Sequence, residues 1–588
     1  MVDAVAGAMA HVGVAPHGRA AMFGANSPEL MIALQAGNRG THTVYCVPLY
    51  DVLGDHSVEY IIEHSGTLRC TVLPRAAAES TIVFVAAGKL AVLARALGEV
   101  VLPVQVRDVI RACGVRVHRF QEFAELGREH PSPPAPPSSD DICTIMYTSG
   151  TTGVPKGVLL THRTLATAVA SLAHWMGCVG LDIGRDHGDR YLSFLPLAHI
   201  YGRCVEEAFL SMGACIAYWS GEAKGLPADI RASQPAIFCS VPRVFQRFEA
   251  TTLDKISKAG KAQQALFHTA FNLKLAALKA GAPWDKLASA VFDRLVFRDI
   301  SRGMLGDQIK LISSGGAPLA RHVEEFMRVC GCAKFVQGYG LTETCGATFV
   351  SDPDRPDQLY TVGPPQPAYE LRLEAVPDME CDPLGIPPRG EVLVRGEGVF
   401  VGYHKDEDET RKAVDAEGWF HTGDVGEVTP GGALRIIDRK KNLFKLSQGE
   451  YIAVEKIEGV LEDSELVGQV WVHGSHYESC LVAVVVPARR RLEAWAREQG
   501  IEGAYCDLCR DSQVRRMLQH ELEAVGRKGG LKAFELPKAI HVEEEPFSVA
   551  NDLLTPTFEL RRQQLLKRYS GVVDGLYESM KSRAAGPR

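Results

Sequence analysis

The chain contains no run of eighteen uncharged apolar residues, so nothing in it reads as a membrane-spanning helix. Its closest approach, Thr81 to Val101, is broken by Lys89, Arg95 and Glu99 and reads as a strand-helix-strand piece of an α/β core. There is no basic block, and the net charge of −7 argues against nucleic acid as the main partner. Fifteen cysteines are present, but they show no framework spacing and no secretory leader precedes them. A reducing, cytoplasmic compartment is therefore expected. The one CxxC, Cys506 to Cys509, lacks the second pair that a four-ligand zinc site needs, and is read as cysteines on a helix surface. No internal repeat and no long disordered segment is evident. With 588 residues, the chain is too long for one core and implies several domains or subdomains.

What is present is a concentrated phosphate-type loop. Tyr147 to Gly157 reads YTSGTTGVPKG, and seven of these eleven residues are Gly, Ser or Thr. Such a backbone folds tightly, its N–H groups can converge on an anion, and its hydroxyls can reach phosphate oxygens or a metal. Lys156 adds a mobile positive charge. Apolar, β-prone Ile142 to Tyr147 precedes the loop, and VLLTH followed by a helical pattern over Arg163 to Trp175 comes after it. The spacing is not that of a P-loop NTPase, because Lys156 follows Gly153 by three residues and is itself followed by Gly157.

Strand and helix patterns alternate along the rest of the first two thirds, as a parallel α/β sheet requires. Arg19 to Phe23 reads as a strand, Ser27 and Pro28 open a helix, Thr43 to Leu49 is a second strand, and a helix lies around Val58 to His64. Strands are expected at Tyr191 to Leu195, Gly213 to Trp219 and Ala236 to Val241. Arg243 to Ala280 is mostly helical. Leu311 to Ser314 opens into Gly315-Gly316-Ala317, and Lys334 to Gln337 delivers GYGLTET, Gly338 to Thr344. Both turns lie beyond strand carboxyl ends, where open α/β sheets bind ligands. From Tyr369 the pattern turns to alternating β segments. Asp438 to Tyr451 reads as an unpatterned linker, and an α+β domain follows. The expected fold is α/β: a large N-terminal domain of α/β sheets with a β-rich subdomain (1–437), a hinge linker (438–450) and a small mobile α+β C-terminal domain (451–588).

YTSGTTGVPKG, YGLTE, GWFHTGDVG and the DRKK linker, in that order, resemble the AMP-forming acyl-CoA synthetases. YLSFLPLAHIYGR and IIDRKKNLFKLSQGEYIAVEKIE resemble the eukaryotic long-chain fatty acid branch. The resemblance implies that a fatty acid and ATP give an acyl-adenylate and pyrophosphate, after which coenzyme A displaces AMP. It implies phosphate contacts from Thr148, Ser149, Gly150, Thr151, Thr152, Gly153, Lys156 and Thr342, and magnesium held by Thr151 and Glu343. Tyr339 would lie against adenine, with Gly315, Gly316 and Ala317 allowing backbone approach, and Asp424 and Arg439 would hold the ribose. His199 and Gly338 would border the acyl group, although a lone histidine after an apolar strand is as readily structural. Lys441 would be the hinge, and Gly449 and Glu450 would face coenzyme A.

At the position where the family carries a lysine that bridges substrate carboxylate and α-phosphate, this chain has Glu559. Impaired adenylation is expected, and a catalytically weak acyl- or nucleotide-binding homologue with a regulatory role in lipid handling is the alternative reading. A ligase for an aryl or amino acid is a further rival, disfavoured because the linker is of the fatty-acyl type. The resemblance also leads one to expect more chain before Met1 to Val14, where an anchor or targeting signal would lie. The C-terminal AAGPR is not a peroxisomal SKL-type address. Peripheral contact with the endoplasmic reticulum or another intracellular membrane stays open, as do oligomeric state and chain-length preference.

Overall fold

The computed structural model describes residues 1–14, 17–39, 44–50, 58, 60–61, 64–65, 82–85, 118–148, 155–222, 224–281, 291–331, 334–376, 381–440, 443–447, 451–475, 477–555 and 558–584. Of the expected helix around Val58 to His64, residues 58, 60–61 and 64 are described and are helical, and the rest lie outside the described residues, as does most of Thr81 to Val101; Ile82–Val85 is a strand.

Two six-stranded sheets carry the first two thirds of the chain. In the first, Arg19–Phe23 sits between Tyr45–Leu49 and Ile82–Val85, all parallel. Ile142–Thr148 joins Tyr45–Leu49 in parallel, and Lys156–Thr161 folds back on it antiparallel. Gly402–Tyr403 closes that edge. In the second, Arg190–Ser193, Cys215–Tyr218, Ile237–Ser240, Leu311–Ser314 and Lys334–Tyr339 run parallel, with Phe349–Val350 antiparallel at the edge.

Between the sheets lie helices His162–Cys178 and Ile200–Ser211. Thr161 caps the first, its hydroxyl accepting from the Thr164 N–H at 3.0 Å. Leu165, Ala168, Ile200 and Cys204 pack on Cys143, Met146, Val158 and Leu160 of the first sheet. Met176, Val205 and Phe209 pack on Tyr191, Ile237, Leu311 and Val336 of the second. Because both sheets bury the helices, apolar residues recur around most of each helix rather than along one stripe.

A four-stranded antiparallel sheet follows, in the order Tyr369–Glu374, Arg389–Gly396, Phe420–Val428, Leu434–Arg439. Its last pairing sets Asp424 opposite Arg439. Beyond it, Val467–His473, Val482–Pro487 and Ala539–Val542 form a three-stranded sheet covered on both faces. Strict alternation explains this: Val470, Val472, Ala483 and Val485 face helices Val454–Leu461 and Ser512–Lys528, while Trp471, Val482, Val484 and Val486 face Arg562–Ala584.

Two expectations are corrected here. Asp438 to Tyr451 is not an unpatterned linker, since Asp438 and Arg439 end a strand and Leu443–Lys445 pairs with Tyr451–Ala453 as a short ribbon. Charged side chains hid this because both strands are short and alternate weakly. Cys509 is not on a helix surface; it is buried among Leu508, Val514 and Leu518, while Cys506 is partly exposed.

The C-terminal segment docks on the first two thirds through a charged contact. His322, on helix Arg321–Cys330, lies 2.6 Å through Nδ1 from Asp463 Oδ1 and 3.1 Å through Nε2 from Glu249 Oε2. Burial opposes its protonation, but hydrogen bonding to Asp463 and Glu249 outweighs this and raises the pKa to about 10. An unfolded histidine titrates near ~6.5, so this stabilisation is complete below that pH and is lost as the pH rises through the folded value. The melting-temperature advantage of the wild type over His322→Gln should accordingly be largest near pH 6 and close by about pH 10, as read by differential scanning fluorimetry; a gap that widens with pH would contradict this.

Candidate active site

The loop read as a phosphate cradle is the tip of a β-hairpin. Thr148 and Lys156 face each other in register across its base, and Tyr147 below them is buried with its hydroxyl 2.9 Å from His64 Nδ1. Ser149, Gly150, Thr151, Thr152 and Gly153 lie outside the described residues, as do Lys441, Gly449 and Glu450.

Lys156 is not free at this base. Its Nζ lies 2.5 Å from Glu409 Oε2 and 4.9 Å over the Tyr403 ring. Hydrogen bonds from Lys156 and Lys412 pull the Glu409 carboxyl down to about 2. The Tyr403 hydroxyl donates to Glu343 Oε1 at 2.8 Å, and the Glu343 carbonyl accepts from Phe400 N–H at 2.8 Å. Burial pushes the Glu343 carboxyl up, against the opposing pull of Tyr403, Arg439 and Lys156. Thr342 and Glu343 share a 3₁₀ turn that depends on close backbone approach: a Cβ at Gly340 would meet the Gly346 carbonyl at 1.5 Å. Tyr403 and Glu409 were missed from sequence. Their signal, an acid run three residues after a Gly-Tyr pair in GYHKDEDET, carries no chemistry until the strand Gly402–Tyr403 is seen paired with Val158 and Leu159.

On the other side, four predicted residues form one chain of contacts. The Tyr339 hydroxyl donates to Asp424 Oδ2 at 2.5 Å, Arg439 Nε lies 3.4 Å from Asp424 Oδ1, and Arg439 Nη2 lies 3.7 Å from Glu559 Oε1. Burial raises the Asp424 carboxyl to about 6, with Arg439 and Tyr339 opposing and Glu455 and Glu559 adding to the rise. Glu559 is likewise raised by burial and by Glu455, with Arg439 opposing. Arg439 is held charged chiefly by Glu559 and then by Asp424.

Behind Tyr339 opens an apolar cavity with about 780 Å³ of empty space counted out to its mouth. Gly315, Gly316, Gly338 and Tyr339 border it on the nucleotide side, and Trp175, Met176, Phe209 and Val350 line its apolar side. Ala317 follows in the same turn, half-buried. His199 also lines the cavity, but its Nδ1 accepts from Tyr201 N–H at 3.1 Å as the cap of helix Ile200–Ser211. Burial lowers its pKa to about 4, so it is neutral at pH 7. Of the predicted residues, Lys156 and Glu343 are thus joined through Tyr403, and Tyr339, Asp424, Arg439 and Glu559 directly.

A family model described as AMP-binding enzyme matches residues 1–404. Long chain acyl-CoA synthetase 4 of Arabidopsis thaliana is 42% identical over 585 residues, 98% of this chain and 85% of that protein. Probable CoA ligase CCL6 of Humulus lupulus is 41% identical over 589 residues, 98% of this chain and 86% of that protein. Among solved structures, the adenylation domain of a carboxylate reductase from Mycobacterium chelonae superposes with a TM-score of 0.76 at 26% identity, covering 98% of this chain and 83% of that one. With relatives this similar from end to end, the chain belongs to the AMP-binding enzyme family, on its long-chain acyl-CoA synthetase branch.

Proposed function

We propose that the protein is an AMP-forming long-chain fatty acid:CoA ligase. The observation that carries this is the apolar cavity lined in part by Gly315, Gly338 and Tyr339, the last of which donates to Asp424 beside Arg439. An acid with a long apolar tail fills such a space and leaves its carboxylate beside a nucleotide. The carboxylate attacks the α-phosphate of ATP, pyrophosphate leaves, and the thiol of coenzyme A then displaces AMP. Tyr339 lies against adenine, with Gly315, Gly316 and Ala317 allowing the base close approach. Asp424 and Arg439 meet the ribose hydroxyls. Thr148, Ser149, Gly150, Thr151, Thr152, Gly153, Lys156 and Thr342 receive the phosphates, and His199 and Gly338 border the acyl carboxylate.

Magnesium suits Glu343, a half-buried oxygen donor hydrogen-bonded to Tyr403, with Thr151 as the second protein ligand. When bound, it neutralises charge on the polyphosphate. Residues 438–450 act as the hinge between domains 1–437 and 451–588, with Lys441 as its pivot and Gly449 and Glu450 facing coenzyme A. A cytoplasmic setting with peripheral contact to the endoplasmic reticulum or another intracellular membrane belongs to the same proposal; among the described residues no helix is long and apolar enough to cross a membrane. The named relatives lend no support to a purely regulatory homologue. Pyrophosphate release over a panel of aryl, amino and fatty acids should respond to long-chain fatty acids alone; release with an aryl or amino acid instead would overturn the assignment.

Glu559 sets the pace of the first step. Its carboxylate lies against Arg439 where the family's lysine would bridge two anions. Two like charges about 4 Å apart at an effective dielectric near 20 repel by roughly 4 kcal/mol, and the lysine's attraction is forfeited as well. Adenylation is slow, whereas transfer from a supplied acyl-adenylate to coenzyme A is not. Glu559→Lys should raise ATP-dependent acyl-CoA formation by about a hundred- to a thousandfold and leave the second half-reaction within a few-fold. Equal overall rates for the two proteins would show that Glu559 does not limit the reaction.

A further inference from the structure

The strand Gly402–Tyr403 and the short helix Glu407–Ala413 after it form a wall beside the phosphate hairpin. The attachment is by backbone, with Tyr403 paired to Val158, Gly402 to Leu159, and His404 N–H donating to the Gly157 carbonyl at 2.7 Å. Tyr403 N–H donates to Thr410 Oγ1 at 2.9 Å, and Glu409 N–H to Asp406 Oδ1 at 3.1 Å, which fixes the helix to the strand. The wall therefore moves with the hairpin base, and its side chains keep a constant distance from Lys156.

Glu409 bridges two lysines. Oε2 receives Lys156 at 2.5 Å and Oε1 receives Lys412 at 2.7 Å. When Lys156 swings to a phosphate, Lys412 stays behind and Glu409 keeps one counter-ion. The exchange is thus inexpensive, since a half-exposed pair of this kind contributes little on its own. Tyr403 serves the opposite group. Glu343 is half-buried, and the Tyr403 hydroxyl donating to its Oε1 at 2.8 Å fixes the plane of the carboxylate. The Tyr403 ring also lies under Lys156 at 4.9 Å, so one residue touches the cation and the anion on the two sides of the space where a polyphosphate would sit.

We propose that Glu409 and Tyr403 are positioning residues of the nucleotide site: Glu409 parks Lys156 until a polyphosphate claims it, and Tyr403 holds the Glu343 carboxylate aimed at the cation that accompanies that polyphosphate. This rests on the ATP-binding reading above. It separates two effects that a purely structural role would merge, because Glu409 acts on the anion and Tyr403 on the metal.

Isothermal titration of the full chain with ATP, with and without magnesium, tests it in wild type, Glu409→Gln, Glu409→Asp and Tyr403→Phe. Glu409→Gln should tighten metal-free ATP by about three- to tenfold, because an anion is removed and Lys156 is released. Glu409→Asp should restore wild-type affinity. Tyr403→Phe should leave metal-free affinity within about twofold but cut the gain from magnesium by about tenfold, because the Glu343 carboxylate loses the hydroxyl that fixes its plane. Unchanged or weaker metal-free binding in Glu409→Gln, or equal losses with and without magnesium in Tyr403→Phe, overturns the inference. A wild type that binds no ATP overturns the functional reading as well, which keeps the two failures apart.

Discussion

A guanidinium shared among carboxylates from separate parts of the chain ties the nucleotide side of this molecule together. Arg439 ends the last strand of the four-stranded sheet, and Asp424 meets it from the neighbouring strand, Glu455 from the first turn of the next helix, and Glu559 from near the C-terminus. With 35% of its side chain exposed, it is mostly withdrawn from water and depends on these partners to stay there. Because the Asp424–Arg439 pairing is a register position, a slip of one residue would move both side chains to the opposite face and undo the contact with Tyr339. The sheet, the strand that delivers Tyr339 and the segment that delivers Glu559 are therefore coupled through one charge.

That coupling links a residue near the end of the chain to the strand that delivers Tyr339. A lysine beside Arg439 would add positive charge for an incoming anion, whereas Glu559 cancels the charge already present. Glu559 and Arg439 form an ion pair at 3.7 Å. Burial raises the pKa of both Asp424 and Glu559, which fits an acid-rich pocket whose charges are not all neutralised by arginine.

Where local pattern decides conformation, the fold was legible. Arg19–Phe23 and Leu311–Ser314 fall where the apolar, β-prone pattern puts them. The chain of Tyr339, Asp424, Arg439 and Glu559 was legible as a list of residues through family motifs, though not as a connected set. What escaped was long-range or against pattern. His322 with Asp463 pairs positions 141 apart, and Lys156 with Glu409 pairs positions 253 apart; of these four residues only Lys156 sits in a motif, and its partner does not. The ribbon Leu443–Lys445 with Tyr451–Ala453 escaped because three-residue strands carry too few side chains to show a period of two.

The cavity shows how the two kinds of chemistry are kept apart within a few ångströms. Its apolar wall comes in part from the two helices between the sheets, where Trp175, Met176 and Phe209 line the cavity while packing on the second sheet. Its mouth comes from strand ends, where Gly315 packs so closely on the Tyr201 ring that an added Cβ would meet it at 3.3 Å. The Tyr201 hydroxyl donates to the Ser313 carbonyl at 3.2 Å and to its Oγ at 3.1 Å, so the ring is fixed across the boundary and its polar atom is spent. An apolar tail suits the cavity's mainly apolar lining, and Tyr339, which lines the same cavity, connects it to Asp424 and Arg439. Selectivity for an acid with a long apolar tail thus follows from where the two helices end and the strands begin.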